Sequence, residues 1–440
     1  MMKHMLRGII FICIFILIFN CVSQVLNNAG SRKGYKYVGE FYKERENSLD
    51  AIYLGSSNCY SFWNPITAWD NYGISIFPYA TSGQPIAAAK YLISETRKTQ
   101  PNAMFILNIN NTTTNTFFAN IYKTILQMPF SLNKIKLINY LCDIADYSLQ
   151  ERLEFYIPII RYHSRWNELR VDDFYNEDEG IKGAKEYSQY LSYETDITKE
   201  YIYSDKRVKL SDKLEKVIDD LLDYCDEENI KILFVVVPRA ESNENSIARI
   251  NSLSDRIADR GYTVLNLRDK LEEIGINTEK DFCNEKHLNI HGSIKFTNYF
   301  SNYLIENYSF ENKKENVQYD DWNIAQKKYE EYYRKYVIDI ELDTEHRDYN
   351  LMQPNNVKIS IDNKINVEWD KTKGAEGYVI YKKEKNGLWQ RIGSTKSTSF
   401  KDNDYKNGIT YYYTVIPYRT EGEEFYYGEF DYNGIEINIK

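Results

Sequence analysis

Five short, nearly unbroken apolar runs, each followed by a more polar stretch, constrain this chain more than any other feature. They are Asp50-Ala-Ile-Tyr-Leu-Gly55, Ile74-Ser-Ile-Phe-Pro-Tyr79, Met104-Phe-Ile-Leu107, Lys231-Ile-Leu-Phe-Val-Val-Val237 and Thr263-Val-Leu-Asn-Leu267. Continuous hydrophobicity over so short a run suits a strand covered on both faces. Helical patterns over Pro85 to Arg97, Leu210 to Glu228, Ser246 to Arg260 and Gly292 to Asn307 intervene. The alternation predicts a parallel sheet between two helical layers, a three-layer α/β/α flavodoxin-like domain over residues 49–310. The gap between the third and fourth runs, about residues 112–206, reads as an insertion with a helix over Leu132 to Ala145, and we expect it to act as a substrate lid.

Residues 1–26 read as a membrane anchor. Ile9 to Phe19 is uninterrupted apolar sequence, preceded by Lys3 and Arg7, and the apolar character continues to Leu26. Residues 6–26 are thus long enough to cross a bilayer, with the N-terminus cytoplasmic by the positive-inside rule. A cleaved signal peptide is the alternative, since Ile9 to Phe19 also has the length of an h-region. Asn27-Asn-Ala-Gly-Ser31 makes a poor cleavage site, and Ile18-Phe-Asn-Cys21 lacks the small residues that precede a lipid-modified cysteine, so the uncleaved anchor is preferred. Either way the remaining chain is expected outside the cytoplasm, in a single-pass arrangement. The formal net charge of -9, without a basic stripe, argues against a nucleic-acid partner. Cys59, Cys142, Cys225 and Cys283 are widely spaced with no CxxC, so no zinc site, disulfide framework or cofactor motif is indicated.

Residues 27–48 form a polar linker, and residues 311–352 a connecting helix and linker. In the latter, Trp322, Ala325, Tyr329, Tyr332 and Tyr336 recur at helical spacing after Asp320-Asp321, a candidate cap. From residue 353 to 440 the period changes to that of alternating strands: Ile365, Val367 and Trp369, then Tyr378 and Ile380, then Tyr411, Tyr413 and Val415. Lys385-Asn-Gly387 and Lys406-Asn-Gly408 are turn signals between them. The segment resembles a fibronectin type III domain, an all-β sandwich, with Gly377-Tyr-Val-Ile-Tyr381, Trp389 and Gly408-Ile-Thr-Tyr411-Tyr-Tyr-Thr-Val415 in that family's order. Tyr411 matches its tyrosine corner.

Chemistry concentrates in two separated places. Ser57 follows Leu54-Gly55-Ser56 at the end of the first run, where glycine permits a tight turn and a following helix offers backbone N–H groups to an oxyanion. Taken alone, Ser56-Ser57-Asn58 is more commonly a helix cap. His287, in Asp281-Phe-Cys-Asn-Glu-Lys-His287-Leu-Asn, precedes the last helix and is placed to return to the sheet edge. A capping or surface histidine is the bland alternative. Ala80-Thr-Ser-Gly83-Gln84 and Asn108-Ile-Asn110-Asn111 follow the second and third runs, so in a doubly wound sheet they share one crevice with Ser57. Within the insertion, Arg161-Tyr-His163-Ser-Arg165-Trp166 offers a substrate-binding cluster, or a helix end with satisfied polar groups.

On these blocks, residues 49–310 resemble the SGNH, or GDSL-like, hydrolase superfamily, especially the membrane-anchored bacterial branch related to the D-alanyl transfer protein of teichoic acid synthesis and to alginate acetylation proteins. The resemblance implies Ser57 as nucleophile, His287 as base, and Ser57, Gly83 and Asn110 as oxyanion donors. It also implies an acidic residue three before the histidine, where this chain has Asn284. Asp281, Glu285 or a backbone carbonyl would then orient the imidazole, unless Asn284 does so itself. The implied activity is a serine esterase or O-acyltransferase acting on cell-surface polysaccharide through an acyl-serine, with a glycan or acylated polymer and a membrane-bound acyltransferase as partners. A non-catalytic surface binding or scaffold protein retaining the fold is the rival reading.

Overall fold

In the computed structural model the described residues are 2–27, 36–112, 117–126, 128–169, 173–174, 180–185, 204–239, 243–278, 281–329, 348–385, 389–422 and 424–439. Much of the insertion, the aromatic positions Tyr332 and Tyr336, and the turn residues Asn386 and Gly387 therefore lie outside them. The chain divides into two compact units, residues 1–326 and 327–440.

The five apolar runs become β1 (Ala51–Gly55), β2 (Ile76–Ala80), β3 (Met104–Asn108), β4 (Ile232–Val236) and β5 (Val264–Asn266), all parallel in the order β2-β1-β3-β4-β5. This is flavodoxin-like order, and the strand sequence reverses between β1 and β3. Alternate side chains serve two cores because both faces are covered. Ile52, Leu54, Phe105 and Phe234 pack with helices Ala89–Thr96 and Asp212–Glu227, whereas Ala51, Tyr53, Ile106 and Val235 pack with Phe296 and Phe300 of helix Ile290–Asn307. The helices start where their caps dictate: Ser211 accepts from the Leu214 amide, and Asn289 accepts from the Gly292 amide at 3.1 Å.

Two segments expected as linkers contribute to this unit. Val38 and Phe41 are buried in its core, and Glu44 pairs with Lys182 at 2.8 Å. Beyond residue 310, Trp322 is fully buried against Trp69, with ring centroids 5.4 Å apart, and Lys314 pairs with Asp70. The described residues 320–329 are helical there, entered through a turn that Asn316 caps instead of the Asp320-Asp321 pair. Helix Leu132–Ile144 appears within the insertion as the periodicity predicts.

After the short hairpin β6 (Phe282–Asn284) and β7 (His287–Leu288), the remaining strands are all antiparallel. Strands β8 (Lys358–Ile361), β9 (Ile365–Glu368) and β12 (Ser399–Asp402) form one sheet. Strands β10 (Gly377–Glu384), β11 (Gln390–Thr395), β13 (Thr410–Glu421), β14 (Glu424–Tyr427) and β15 (Ile435–Asn438) form the other. The expected alternating residues close the core between them: Ile365, Val367 and Trp369 face Tyr378, Ile380, Tyr413 and Val415. Tyr411 accepts a hydrogen bond from the Lys406 amide at 3.1 Å, the backward hydroxyl-to-backbone link of a tyrosine corner. A buried Asp402 accepts from Lys382 at 2.8 Å and from the Tyr413 hydroxyl at 2.7 Å, so its charge is paired where water is excluded.

Candidate active site

The carboxyl ends of β1 to β4 meet at one edge, and the chain turns there in ways only some residues allow. A Cβ on Gly55 would lie 2.9 Å from the Asn108 Cβ and 3.3 Å from that of Cys59, so glycine lets β1, β3 and the next helix approach closely. That helix, Ser57–Phe62, begins at the candidate nucleophile. Gly83 has φ +70°, and a Cβ on it would meet the Asn120 carboxamide at 2.5 Å, so this turn also demands glycine.

The 230-residue gap closes at this edge. The β6–β7 hairpin brings His287 back so that its Nε2 lies 2.7 Å from the Ser57 Oγ. The other ring nitrogen, Nδ1, lies 2.9 Å from the Asn284 Oδ1. Which end of the Asn284 amide faces the ring is fixed by its other partners. Its Oδ1 also accepts from the backbone N–H groups of Lys286 at 3.0 Å and His287 at 3.1 Å, so the oxygen end is turned inward. An acceptor at Nδ1 holds the proton there and leaves Nε2 to accept from the serine hydroxyl, the tautomer a general base requires.

Asn284 therefore occupies the third position. Asp281, the alternative acid, is committed elsewhere: its carboxylate accepts from Lys295 at 2.7 Å and from the Asn277 amide at 2.6 Å. It closes the turn that leads into the hairpin, while its backbone carbonyl accepts from the Asn289 amide.

Electrostatics at the pair are unusual. Burial first, then the positive charges of Arg239, Lys185 and Lys286, push the His287 imidazole down to about 4. The ring is thus neutral through the ordinary pH range, competent to accept a proton but opposed to keeping it. His291, buried in the first turn of the last helix, is likewise pushed to about 4, chiefly by burial. Cys59 is fully buried and donates to the Tyr53 carbonyl, and desolvation raises its thiol well above the ordinary value. Cys283 is pushed up to about 12 by burial, so neither thiol is a ready nucleophile.

Two expected roles are corrected. The Asn110 carboxamide is not presented as an oxyanion donor. It is buried and locked in both directions to Val237, donating to its carbonyl at 2.8 Å and accepting from its N–H at 2.8 Å. It clamps the ends of β3 and β4, so Asn110→Ala is expected to lower stability by about 2–4 kcal/mol through two backbone groups losing their partner. A thermal melt checks this, and an unchanged Tm would remove the clamp. The trio His163, Arg165 and Trp166 also differs from a substrate cluster. Arg165 is buried, paired with Asp173 and bonded to the Leu26 carbonyl, while His163 bonds the Ile160 carbonyl at 2.8 Å. His163 remains exposed, as does Trp166 at 73%.

Three residues at the site were not singled out in the sequence. Asn58, fully buried one residue after the nucleophile, donates to the Lys286 carbonyl at 2.7 Å and so ties the serine helix to the histidine hairpin. Arg239 donates to the Asn58 Oδ1 at 3.2 Å. It follows Pro238 directly after β4, and its place on the functional sheet edge was readable from strand order alone. Lys185, whose Nζ lies 4.6 Å over the Tyr60 ring, comes from the insertion, where no pattern announced it.

The fold and site define a class: a parallel α/β unit with a Ser–His pair at its switch-point edge, followed by a β-sandwich. No protein-family model matches this chain, and no curated protein matches it. Among solved structures, an Fn3-like protein from Clostridium thermocellum is similar at 21% identity over 18% of this chain and 88% of that one, with a TM-score of 0.16. A titin kinase with its flanking domains matches at 18% identity over 21% of this chain and 18% of that one, TM-score 0.18. The twitchin kinase region from C. elegans matches at 17% identity over 18% and 14% of the two chains, TM-score 0.15. Likeness at this level adds nothing to the sandwich already defined by its strand pairing.

Proposed function

We propose that this protein is a membrane-anchored, extracytoplasmic serine esterase or O-acyltransferase of the SGNH type, acting on acyl groups of cell-surface polysaccharide. The observation that carries the reading is the 2.7 Å contact between Ser57 Oγ and His287 Nε2, made across 230 residues of sequence. In this reading Ser57 attacks the acyl carbonyl as His287 takes its proton, the ester C–O bond breaks as His287 returns that proton to the leaving alcohol, and an acyl-serine remains. Water or a glycan hydroxyl then releases the acyl group by the reverse steps. The Ser57 amide and the Gly83 turn would face the oxyanion, and the positive charge of Arg239 and Lys185 would favour it. No metal or cofactor is required by this chemistry. The membrane reading is supported by the apolar helix His4–Ser23, with mean hydropathy 2.5, and the fibronectin type III reading of the sandwich by its Tyr411 corner.

Asn284 favours a second reading, a surface binding protein that keeps the fold without turnover. A fluorophosphonate probe separates the two. Full-length protein in detergent is expected to label at Ser57, with labelling lost in Ser57→Ala and in protein unfolded beforehand. No labelling of the folded protein at any pH with Ser57 shown to be accessible, or labelling that persists unchanged in Ser57→Ala, would sink the catalytic proposal.

A further inference from the structure

The end of the anchor helix is not free. Along most of its length helix Met2–Asn27 is exposed, with Ile9, Phe11, Phe15 and Leu17 all open, but Ser23 and Leu26 are buried. What covers them is the insertion: Arg165, held by Asp173, donates to the Leu26 carbonyl. The apolar span ends at Ser23, so Leu26 lies about 4.5 Å further along the helix axis. The segment docked there, Ile159–Asn167, is therefore set at the depth of the lipid headgroups if the helix crosses a bilayer.

The same part of the insertion exposes several apolar side chains close together in the chain. Leu149 (74%) and Leu153 (44%) stand one turn apart on helix Leu149–Tyr156, Ile157 (37%) and Ile160 (44%) follow across the break at Ile157-Pro158, and Trp166 stands beyond them. Charges nearby are already used: Arg152 pairs with Asp143 and Arg161 with Glu154. Scattered single apolar residues are ordinary on a surface, but five exposed within residues 149–166, beside the end of a spanning helix, are not. Tryptophan is enriched at that depth because its ring is apolar and its N–H polar.

We propose that this apolar stretch of the insertion, Leu149 to Trp166, lies in the interfacial layer of the membrane that the protein's own helix crosses. This rests on the membrane-anchor reading, and it commits to lipid as the occupant because the Leu26–Arg165 link fixes the stretch at lipid depth whatever else is present. The consequence is a second attachment that would restrain the α/β unit close to the bilayer surface.

The chain carries its own probe. Of its six tryptophans, Trp63, Trp69, Trp322, Trp369 and Trp389 are buried, leaving Trp166 as the exposed one. Full-length protein would be reconstituted into phosphatidylcholine–phosphatidylglycerol vesicles with and without lipids brominated near the headgroup. The expected result is a loss of tryptophan emission with bromolipid that disappears in Trp166→Phe and shrinks in Leu149→Asp/Leu153→Asp, while both variants still float with vesicles after alkaline extraction. Protein that floats but shows no Trp166-dependent quenching would overturn the inference and leave the anchor reading intact. Protein stripped by alkali would overturn the anchor reading, and this inference with it.

Discussion

His287→Ala is expected to lower kcat toward a simple acyl ester by about 10³–10⁴, with KM little changed. Removing the serine or the histidine from a complete triad costs roughly 10⁶. Here the starting point is lower, because Asn284 can orient the imidazolium but cannot balance its charge. The oxyanion donors and binding residues would survive the substitution, and they set the floor. Ser57→Ala should cost about as much, and the double variant no more than either single one, since each side chain is useless to the chemistry without the other. Steady-state kinetics on the three variants, alongside their thermal melts, check this. Losses that multiply, or a fall of less than tenfold in either single variant with folding intact, would remove the Ser–His pair as the source of turnover.

The sequence carried the sheet because its information is local: each strand is a short apolar run, and burial on both faces writes itself into nearly every residue of β1 to β4. Ser57 and His287 were legible for a related reason, since strand order sends both to one edge. The role of Asn110 was not, because an asparagine after a strand has the same spelling whether it faces a substrate or clamps Val237. Asp281 failed as the acid for a similar cause. Its proximity in sequence to His287 says nothing of Lys295, a full turn into the next helix, which takes its carboxylate. The lid reading of the insertion had no such local warrant, and Arg165 proved to point at the N-terminal apolar helix through a contact 139 residues distant. Lys185 and Arg239 reach the site from separate loops, so only the assembled fold puts their charge beside the imidazole.

Asn284→Asp is expected to raise kcat by about 10²–10³ and to move the acidic limb of the pH–rate profile upward. An aspartate should make the same contacts as the present amide oxygen, accepting from the Lys286 and His287 amides and facing the ring nitrogen, so little rearrangement is required. It would add a negative charge against the imidazolium that forms as Ser57 is deprotonated. The whole 10⁴ associated with an aspartate-to-asparagine change in a triad is not recovered, because part of that loss comes from a wrong tautomer, and here the tautomer is already correct. The pH argument follows from the same charge. In the present protein, burial and three cations hold His287 down to about 4, so the base is neutral above that pH and activity should fall only in more acidic solution. A carboxylate at position 284 favours the protonated ring, raises its pKa and carries the falling limb toward the ordinary histidine range near 6.5. The two effects oppose each other at low pH: Asn284→Asp should win strongly at pH 8, where both proteins hold a neutral base, and lose part of its advantage at pH 5. A variant with an unmoved limb and unchanged kcat would mean that position 284 does not govern the imidazole, and the third member of the site would have to be sought elsewhere.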